Sequence, residues 1–332
     1  MEPLLARGAD PMDARGGSNR IGGAMDYDVE ADWQLLDTCN YRCGYCFFDA
    51  ERLGRKLRPA ADAATWEAAF ARTGRRWLLH ITGGEPSLYP ELADLVLRLS
   101  QRHHLSFNTN LTGPAIGAMA QVVDPARVSF INAGLHPFEQ ARHAGRDRFL
   151  KNLDLLQERG FRVFVSVVAT PAVLADFDAV QSLVAPSGLV VVPKALRAVV
   201  DGRRYPDAYT EAERSTFRAR SAEARLAYAA MLGEGEQPSI DVFADEAILH
   251  GEPEFRGWSC AAGSRFVRIE TDGTVYRCGE TTRLGNLLDG SLRLLGGPRT
   301  CDTSFCFYFC QKYAVPPAPG FMARVQRWAG LA

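Results

Sequence analysis

The stretch WQLLDTCNYRCGYC, residues 33–46, sets three closely spaced cysteines directly behind a short apolar run. The run Trp33–Leu36 predicts a buried strand, so the cysteines lie on the loop at its C-terminal end. Three thiolates on one loop can hold three irons of a [4Fe–4S] cluster and leave the fourth iron open to an added ligand. Half of a zinc site is the alternative. However, no fourth Cys or His follows at zinc-finger spacing, and His80 is far off in an apolar strand.

Short apolar runs recur between residues 28 and 206, and amphipathic helical patterns such as Pro90–His104 and Phe149–Arg159 separate them. This alternation predicts an α/β fold with a parallel sheet curled into a partial (β/α)6 TIM-like barrel. Chemistry is then expected at the C-terminal ends of the strands. The predicted strands are Trp33–Leu36, Trp77–Thr82, Leu105–Asn108, Val128–Ile131, Arg162–Ala169 and Leu189–Val192.

The second predicted strand ends in the tetrapeptide Gly83-Gly84-Glu85-Pro86. Two glycines let a backbone approach a ligand closely, and Glu85 offers an acceptor for a cationic amine. Alone, these four residues would be an ordinary turn. Next to the cysteine loop, at the end of the neighbouring strand, they predict a ligand site that both features share.

These motifs together resemble the radical S-adenosylmethionine (SAM) enzymes: C-x3-C-x2-C with the aromatic Tyr45 before the last cysteine, then Gly-Gly-Glu-Pro. The resemblance covers roughly Val29 to Leu196. It implies that Cys39, Cys43 and Cys46 ligate the cluster, whose open iron is chelated by the amino and carboxylate groups of SAM. It also implies reductive cleavage of SAM to a 5′-deoxyadenosyl radical, which abstracts hydrogen from a substrate.

The resemblance further implies a set of cofactor-binding residues. The amino group of SAM would meet Gly83, Gly84 and Glu85, and Tyr45 would lie near the adenine. Ribose or carboxylate contacts are expected from polar residues at strand ends, each of which could equally make an ordinary loop hydrogen bond. These residues are Asn108 with Asn110, Asn132 and Ser166, and Leu111 stands where the family often has glycine.

Five further cysteines lie near the C-terminus, at positions 260, 278, 301, 306 and 310. Their spacing resembles the SPASM and twitch auxiliary-cluster domains, in which a full SPASM block has seven cysteines. The reduced count implies one auxiliary [4Fe–4S] cluster rather than two. The implied ligands are Cys260, Cys278 and Cys310, with either Cys301 or Cys306 as the fourth. A structural zinc site is the alternative.

Composition excludes several classes of protein. The 332 residues carry a net charge of −1, which gives no reason to expect nucleic acid as a partner. No apolar run is long enough to span a membrane, and the N-terminus lacks the apolar core of a signal peptide. We therefore expect a cytoplasmic protein without nucleic-acid or membrane partners, whose eight cysteines bind metal rather than form disulfides.

The expected domain plan has five parts. Residues 1–27 form a disordered leader, 28–232 the radical SAM barrel, 233–257 a linker, 258–315 the auxiliary-cluster domain of α+β type and 316–332 a tail. A long helix over 210–232 opens at the capping box Thr210 to Glu213. The auxiliary domain contains a hairpin turning at Asp272-Gly273.

The leading functional hypothesis is a radical SAM oxidoreductase that acts on a small molecule such as a sugar or aminocyclitol. The auxiliary cluster would relay electrons or bind substrate, and flavodoxin or ferredoxin would be the reducing partner. The alternatives are a SPASM-type maturase of ribosomal peptides and a non-enzymatic iron–sulfur or zinc protein. His136, Lys194 and Glu280 are candidates for a catalytic base, and Lys194 and Arg197 could also contact substrate.

Overall fold

The structure is a computed structural model that describes residues 25–229, 245, 249, 254–279, 282–303, 306 and 312–317. The expected leader up to residue 24, most of the linker and nearly all of the tail lie outside these residues. None of the helices in the described ranges is both long and apolar enough to cross a membrane.

Six parallel strands follow one another in sequence order and alternate with helices, as the α/β pattern predicts. The strands are β1 (Val29–Leu36), β2 (Trp77–Gly83), β3 (His104–Thr109), β4 (Val128–Leu135), β5 (Val163–Ala169) and β6 (Val191–Ala195). The helices are α1 (Ala50–Gly54), α2 (Ala63–Arg72), α3 (Leu92–Ser100), α4 (Ile116–Val122), α5 (Pro137–Arg142), α6 (Arg146–Glu158), α7 (Pro171–Ala175), α8 (Phe177–Ser182) and α9 (Glu211–Ala227).

Strands from the C-terminal part extend the same sheet. β10 (Phe266–Ile269) pairs in parallel with β1, and β11 (Thr274–Tyr276) and β12 (Arg283–Asn286) follow antiparallel. One sheet therefore runs β12-β11-β10-β1-β2-β3-β4-β5-β6. The C-terminal hairpin is therefore hydrogen-bonded to the barrel. The remaining strands are β7 (Val199–Val200), β8 (Arg203–Arg204), β9 (Ser259–Cys260), β13 (Arg299–Thr300) and β14 (Ala314–Val315).

The helix-facing side of the sheet forms the main core. In β1, the ring of Trp33 lies edge-on to Trp66 and Phe70 of α2, with centroids 4.8 and 5.1 Å away. Because side chains alternate along a strand, Glu30 and Asp32 point to the opposite face, the interior of the partial barrel. The sheet thus has an apolar outer face and polar groups inside.

Several predicted boundaries are wrong for one reason. β1 begins at Val29, four residues before the predicted start, and β4 extends through Asn132 to Leu135. The predicted boundaries followed apolar runs, but interior positions of these strands carry polar side chains. A helix ending at His103 and His104 is also wrong: α3 ends at Ser100, and His104 opens β3.

Two local predictions are confirmed. Thr210 and Glu213 form a reciprocal capping box at the start of α9. The hairpin forms between β10 and β11, with the Thr274 amide donating to Asp272 in its turn. α9 ends at Ala227 rather than near residue 232, and residues 230–232 lie outside the described residues.

Candidate active site

The cysteine loop lies at the C-terminal end of β1, and its three thiols are half-buried. The Cys46 amide donates to the Cys43 carbonyl at 2.9 Å, and the Cys39 amide donates to the carbonyl of Leu53 at 3.1 Å. Burial raises the pKa of Cys39 to about 12 and that of Cys43 to about 11. Three clustered thiols ionise readily only beside positive charge, and an iron cluster provides it. The donor set therefore fits a cluster ligated by thiolates.

The two glycines at the end of β2 pack against the start of this loop. The Gly84 amide donates to the Leu36 carbonyl at 2.6 Å, and the Glu85 amide donates to the Thr38 carbonyl at 2.9 Å. A Cβ at Gly83 would lie 2.3 Å from the Leu36 oxygen, and one at Gly84 would lie 2.2 Å from the Thr38 oxygen. The close approach predicted for a ligand is thus made by the cysteine loop's own backbone.

A Gly84→Ala variant is expected to displace the residues that lead into the cysteine loop, because a rigid backbone oxygen occupies the space of the new methyl group. We expect unfolding free energy to fall by about 1–3 kcal/mol, as for other overpacked sites. Urea unfolding and the iron content after reconstitution measure the two effects.

The control is Gly117→Ala in α4, where nothing lies within 4 Å of the added Cβ. Alanine at this helical position should stabilise by about 0.5–1 kcal/mol. A Gly84 variant as stable and as rich in iron as this control would contradict the role of the contact.

Glu85 is buried, and its carboxylate is engaged by the protein. One oxygen accepts hydrogen bonds from the amide and hydroxyl of Ser87 and from the Thr109 hydroxyl. The other accepts from the Asn110 amide at 2.7 Å. Burial raises the pKa of Glu85 despite these bonds. The Glu85 carboxylate thus links the end of β2 to the end of β3 through hydrogen bonds. Its predicted contact with the amine of SAM remains a prediction.

A chain of side-chain hydrogen bonds joins the end of β3 to the cysteine loop. The Asn110 side chain donates to Asn40 Oδ1 at 2.9 Å, and Asn40 donates in turn to the Thr112 hydroxyl at 2.8 Å. Leu111, which lies between Asn110 and Thr112 in the chain, has a positive φ of 56°, a conformation that favours glycine. The residue that departs from the family's Thr-Asn-Gly pattern thus keeps the backbone shape of the glycine.

His136, at the end of β4, lies against the cysteine loop. Its Nδ1 is 2.9 Å from the Tyr45 hydroxyl and 3.5 Å from Cys43 Sγ. Burial lowers the pKa of His136 to about 4, so the ring is neutral at pH 7. Three residues on, the buried Glu139 accepts from the Arg42 amide at 2.9 Å. The structure therefore places His136 beside the loop, as a support for Tyr45, and its role as a base remains untested.

Asn108, Asn132 and Ser166 form a hydrogen-bonded ladder across β3, β4 and β5. The Ser166 hydroxyl donates to Asn132 Oδ1 at 2.8 Å, and Asn132 Nδ2 donates to Asn108 Oδ1 at 2.9 Å. The predicted cofactor-binding residues are thus brought together on the interior face. Whether they contact a ligand remains a prediction.

Deeper in the barrel, a fully buried carboxylate is held by residues distant in sequence. Lys312 Nζ lies 2.6 Å from one oxygen of Glu30, and His80 Nε2 lies 2.7 Å from the other. The Tyr313 hydroxyl donates to Glu30 at 2.8 Å. Burial alone would raise the pKa of Glu30, but the Lys312 ammonium and the His80 ring together outweigh it and hold the pKa at about 2.

Asp32 is an interior carboxylate that was not among the site residues predicted from the sequence. It is half-buried, and its register partners are Arg268 in β10 and His80 in β2. Arg268 forms its ion pair with Glu270 instead. Burial raises the pKa of Asp32 to about 7, against the opposing influence of Arg268. The available signal was its alternation with the apolar Ala31 and Trp33.

Comparison with known families decides the assignment. Residues 33–178 match the family described as the Radical SAM superfamily. These residues form a radical SAM domain. The assignment made from the cysteine motif is therefore confirmed, and with it the superfamily's use of a [4Fe–4S] cluster and SAM.

Curated relatives of the radical SAM chain are named as cyclases. It is 27% identical over 136 residues to a probable GTP 3′,8-cyclase of Thermoplasma volcanium, covering 38% of this chain and 40% of that protein. It is 34% identical over 131 residues to the GTP 3′,8-cyclase of Mycobacterium marinum, covering 36% and 35%. The chain thus spans two fifths or less of the length of these relatives.

Solved structures match more of the radical SAM chain at lower identity. A structure of anSMEcpe with bound AdoMet superposes with a TM-score of 0.54 at 15% identity, covering 79% of this chain and 78% of that chain. SuiB of Streptococcus suis bound to precursor peptide SuiA superposes with a TM-score of 0.52 at 15% identity, covering 85% and 67%. At these identities the likeness shows a shared fold alone, and it confirms the predicted fold class.

The C-terminal cysteines of the radical SAM chain meet around one small cavity, lined by Cys260, Cys278, Cys301 and Cys306. Cys301 is held there by two bonds: its amide donates to the Trp258 carbonyl at 2.8 Å, and its carbonyl accepts from the Gly257 amide at 2.7 Å. Both candidates for the fourth ligand therefore line the cavity, whereas Cys310 lies outside the described residues.

The other predicted site residues are placed as follows. Lys194 is half-buried near the C-terminal end of β6, on the same strand face as Val192, and Glu280 lies outside the described residues. Over the described ranges, no three His, Cys, Asp or Glu side chains surround a single point as ligands of one metal ion would. In an iron–sulfur cluster, by contrast, each thiolate binds a separate iron.

Proposed function

We propose that this protein cleaves SAM reductively at the loop Cys39–Cys46 and applies the resulting radical chemistry to a substrate inside the barrel. The observation that carries the proposal is the convergence of four strand ends on one loop. β1 leads into its thiols, and Gly84 and Glu85 after β2 hold the backbone just before it. Asn110 after β3 holds Asn40, and His136 after β4 holds Tyr45.

Within this proposal, Cys39, Cys43 and Cys46 would hold a [4Fe–4S] cluster. The cluster, when bound and reduced, supplies the electron that cleaves the carbon–sulfur bond of SAM. Tyr45 and the Asn108–Asn132–Ser166 ladder would bind polar parts of SAM, because they lie on the loop and on the interior face beside it. Glu85 would keep the strand ends together and fix the loop's position.

We propose that Cys260, Cys278, Cys301 and Cys306 hold one auxiliary [4Fe–4S] cluster. Four thiols around one cavity match the ligand count of a closed cluster, and this supports the assignment. Cys310 then becomes an additional cysteine rather than a necessary ligand.

The interior charges bear on the substrate. Glu30 is paired with Lys312, Arg268 is paired with Glu270, and Asp32 carries no ion pair among the described residues. A triphosphate requires several free cations, whereas Lys312 and Arg268 are each already paired with a carboxylate. We therefore propose a neutral or cationic substrate, either a small molecule or a peptide segment. The comparisons do not support a sugar or an aminocyclitol in particular.

A second candidate substrate is GTP, because the curated relatives are named GTP 3′,8-cyclases. Equilibrium binding of GTP to the reconstituted protein distinguishes the two. We expect a dissociation constant weaker than about 1 mM, the affinity of a few unspecific contacts. Micromolar binding would favour the nucleotide instead.

The test of the proposed function is anaerobic incubation with SAM and dithionite. We expect 5′-deoxyadenosine and methionine as products, and about eight irons per chain if both clusters form. A protein holding about four irons would refute the auxiliary cluster. Absence of 5′-deoxyadenosine from a protein with a full first cluster would refute the proposed function.

A further inference from the structure

An exposed basic surface adjoins the cysteine loop. We define it as the basic rim, formed by Arg42, Phe47, Arg55, Lys56 and Arg58, all of them exposed. Phe47 directly follows Cys46 and is 81% exposed. An aromatic side chain left this bare is a common anchor for a partner protein.

The basic rim is attached to the loop that carries the thiols. The Thr38 hydroxyl donates to the Arg55 carbonyl at 3.1 Å, one residue before Cys39. The Arg42 guanidinium donates to the carbonyls of Cys39 and Tyr41 at 2.6 and 2.8 Å. The rim therefore keeps a set position relative to the thiols.

The charge of the basic rim differs from that of the whole protein. Residues 42–58 include five basic and two acidic residues, in a chain whose net charge is −1. In the described part of the chain, no carboxylate pairs with Arg42, Arg55, Lys56 or Arg58, whereas Arg52 pairs with Asp37. Unpaired cations on one surface attract an acidic partner over several Å.

A cavity opens beside the basic rim. This cavity of about 440 Å³ is lined by Arg55, Lys56 and Arg58 of the rim and by Leu35 and Leu36 of β1, and Asp37 and Asp272 are also part of its lining. Its volume would admit one or two side chains of a docked partner. Charge, an exposed aromatic ring and a recess thus occur together beside the thiols.

We propose that the basic rim is the docking surface of an acidic electron-donor protein of the flavodoxin kind. The proposal rests on the proposed function, because reductive cleavage of SAM needs one electron from outside the chain. In the docked complex the donor loses one electron, and the cluster at Cys39, Cys43 and Cys46 gains it.

The test compares two electron donors on the reconstituted holoenzyme. The triple variant Arg55→Glu, Lys56→Glu and Arg58→Glu is assayed for 5′-deoxyadenosine with a purified acidic bacterial flavodoxin and, separately, with dithionite. Binding of the same flavodoxin is measured by titration calorimetry at low and high salt. We expect at least a tenfold loss in flavodoxin affinity and in the flavodoxin-driven rate, and a dithionite-driven rate within twofold of the wild type.

The control triple variant replaces Arg75, Arg102 and Arg159 with glutamate and so reverses their charge. These exposed residues precede β2, β3 and β5, at the opposite end of the strands. It should bind flavodoxin as the wild type does. If the rim variant loses iron, the single variant Lys56→Glu, at an exposed position, replaces it, with a smaller loss of flavodoxin affinity expected.

Unchanged flavodoxin affinity in the rim variant would overturn the proposal. So would a rim that binds an acidic peptide and not flavodoxin, which would mark it as a substrate surface. Failure of the wild type with dithionite would instead refute the proposed function on which the proposal rests.

Discussion

A Cys43→Ala variant is expected to yield no detectable 5′-deoxyadenosine from SAM under dithionite. The loop offers three thiols, and loss of one leaves two irons without a protein ligand in a cluster that already has one open iron. The loss should exceed 10³-fold, because the electron for cleavage has no other source in the assay. Liquid chromatography with mass detection measures the product, and iron analysis should show about four irons fewer per chain.

The matched control for Cys43→Ala is Tyr45→Phe on the same loop. It removes the hydroxyl that lies 2.9 Å from His136 and keeps all three thiols. We expect full iron content and a cleavage rate within about tenfold of the wild type, the usual range for one lost neutral hydrogen bond. If Cys43→Ala cleaved SAM at the rate of this control, the ligand assignment would be wrong.

A Lys312→Met variant is expected to lose about 3–5 kcal/mol of unfolding free energy, because it leaves the fully buried Glu30 without its cation. Urea unfolding of the cluster-free chain measures the loss. An exposed control, Lys151→Met on α6, should change stability by less than about 0.5 kcal/mol. The double variant Glu30→Gln with Lys312→Met should recover much of the loss, since no buried charge remains.

The buried ion pair of Glu30 and Lys312 also predicts how the stability of the protein depends on pH. The pKa of Glu30 falls from an ordinary 4.5 to about 2, so the unfolded chain takes up a proton before the folded one does. The stabilisation that the ionised Glu30 gives the folded chain is therefore complete above about pH 4.5 and is lost as the pH falls toward 2. It should amount to about 3 kcal/mol. If Glu30→Gln showed the same acid dependence as the wild type, another carboxylate would be responsible.

Sequence patterns predicted the chemistry well wherever that chemistry is local. The spacing of Cys39, Cys43 and Cys46 behind an apolar run indicated the superfamily, because a cluster loop is a short contiguous element. The capping box at Thr210 and Glu213 and the turn at Asp272 and Gly273 were predicted for the same reason. Each depends on hydrogen bonds between residues two or three positions apart.

The sequence patterns were less informative where a residue's partner is remote. Glu30 and Asp32 lie before the predicted start of the first strand at Trp33, and only the parallel pairing of β10 with β1 brings Arg268 beside Asp32. Gly83 and Gly84 indicated a close approach, but the pattern could not say that the approaching atoms belong to Leu36 and Thr38. A glycine in the sequence can indicate that a side chain would not fit there, but it does not identify the group that occupies the space.

The sequence by itself determined the alternation of strands and helices, the thiol loop and thereby the superfamily, since these depend on periodicity and on spacing along the chain. The tertiary structure alone decided that four strand ends hold that loop, that the C-terminal hairpin continues the barrel sheet, and that Lys312 neutralises Glu30. The last of these contacts joins residues 282 positions apart. Their energies depend on burial and distance in three dimensions, which no pattern of neighbouring residues encodes.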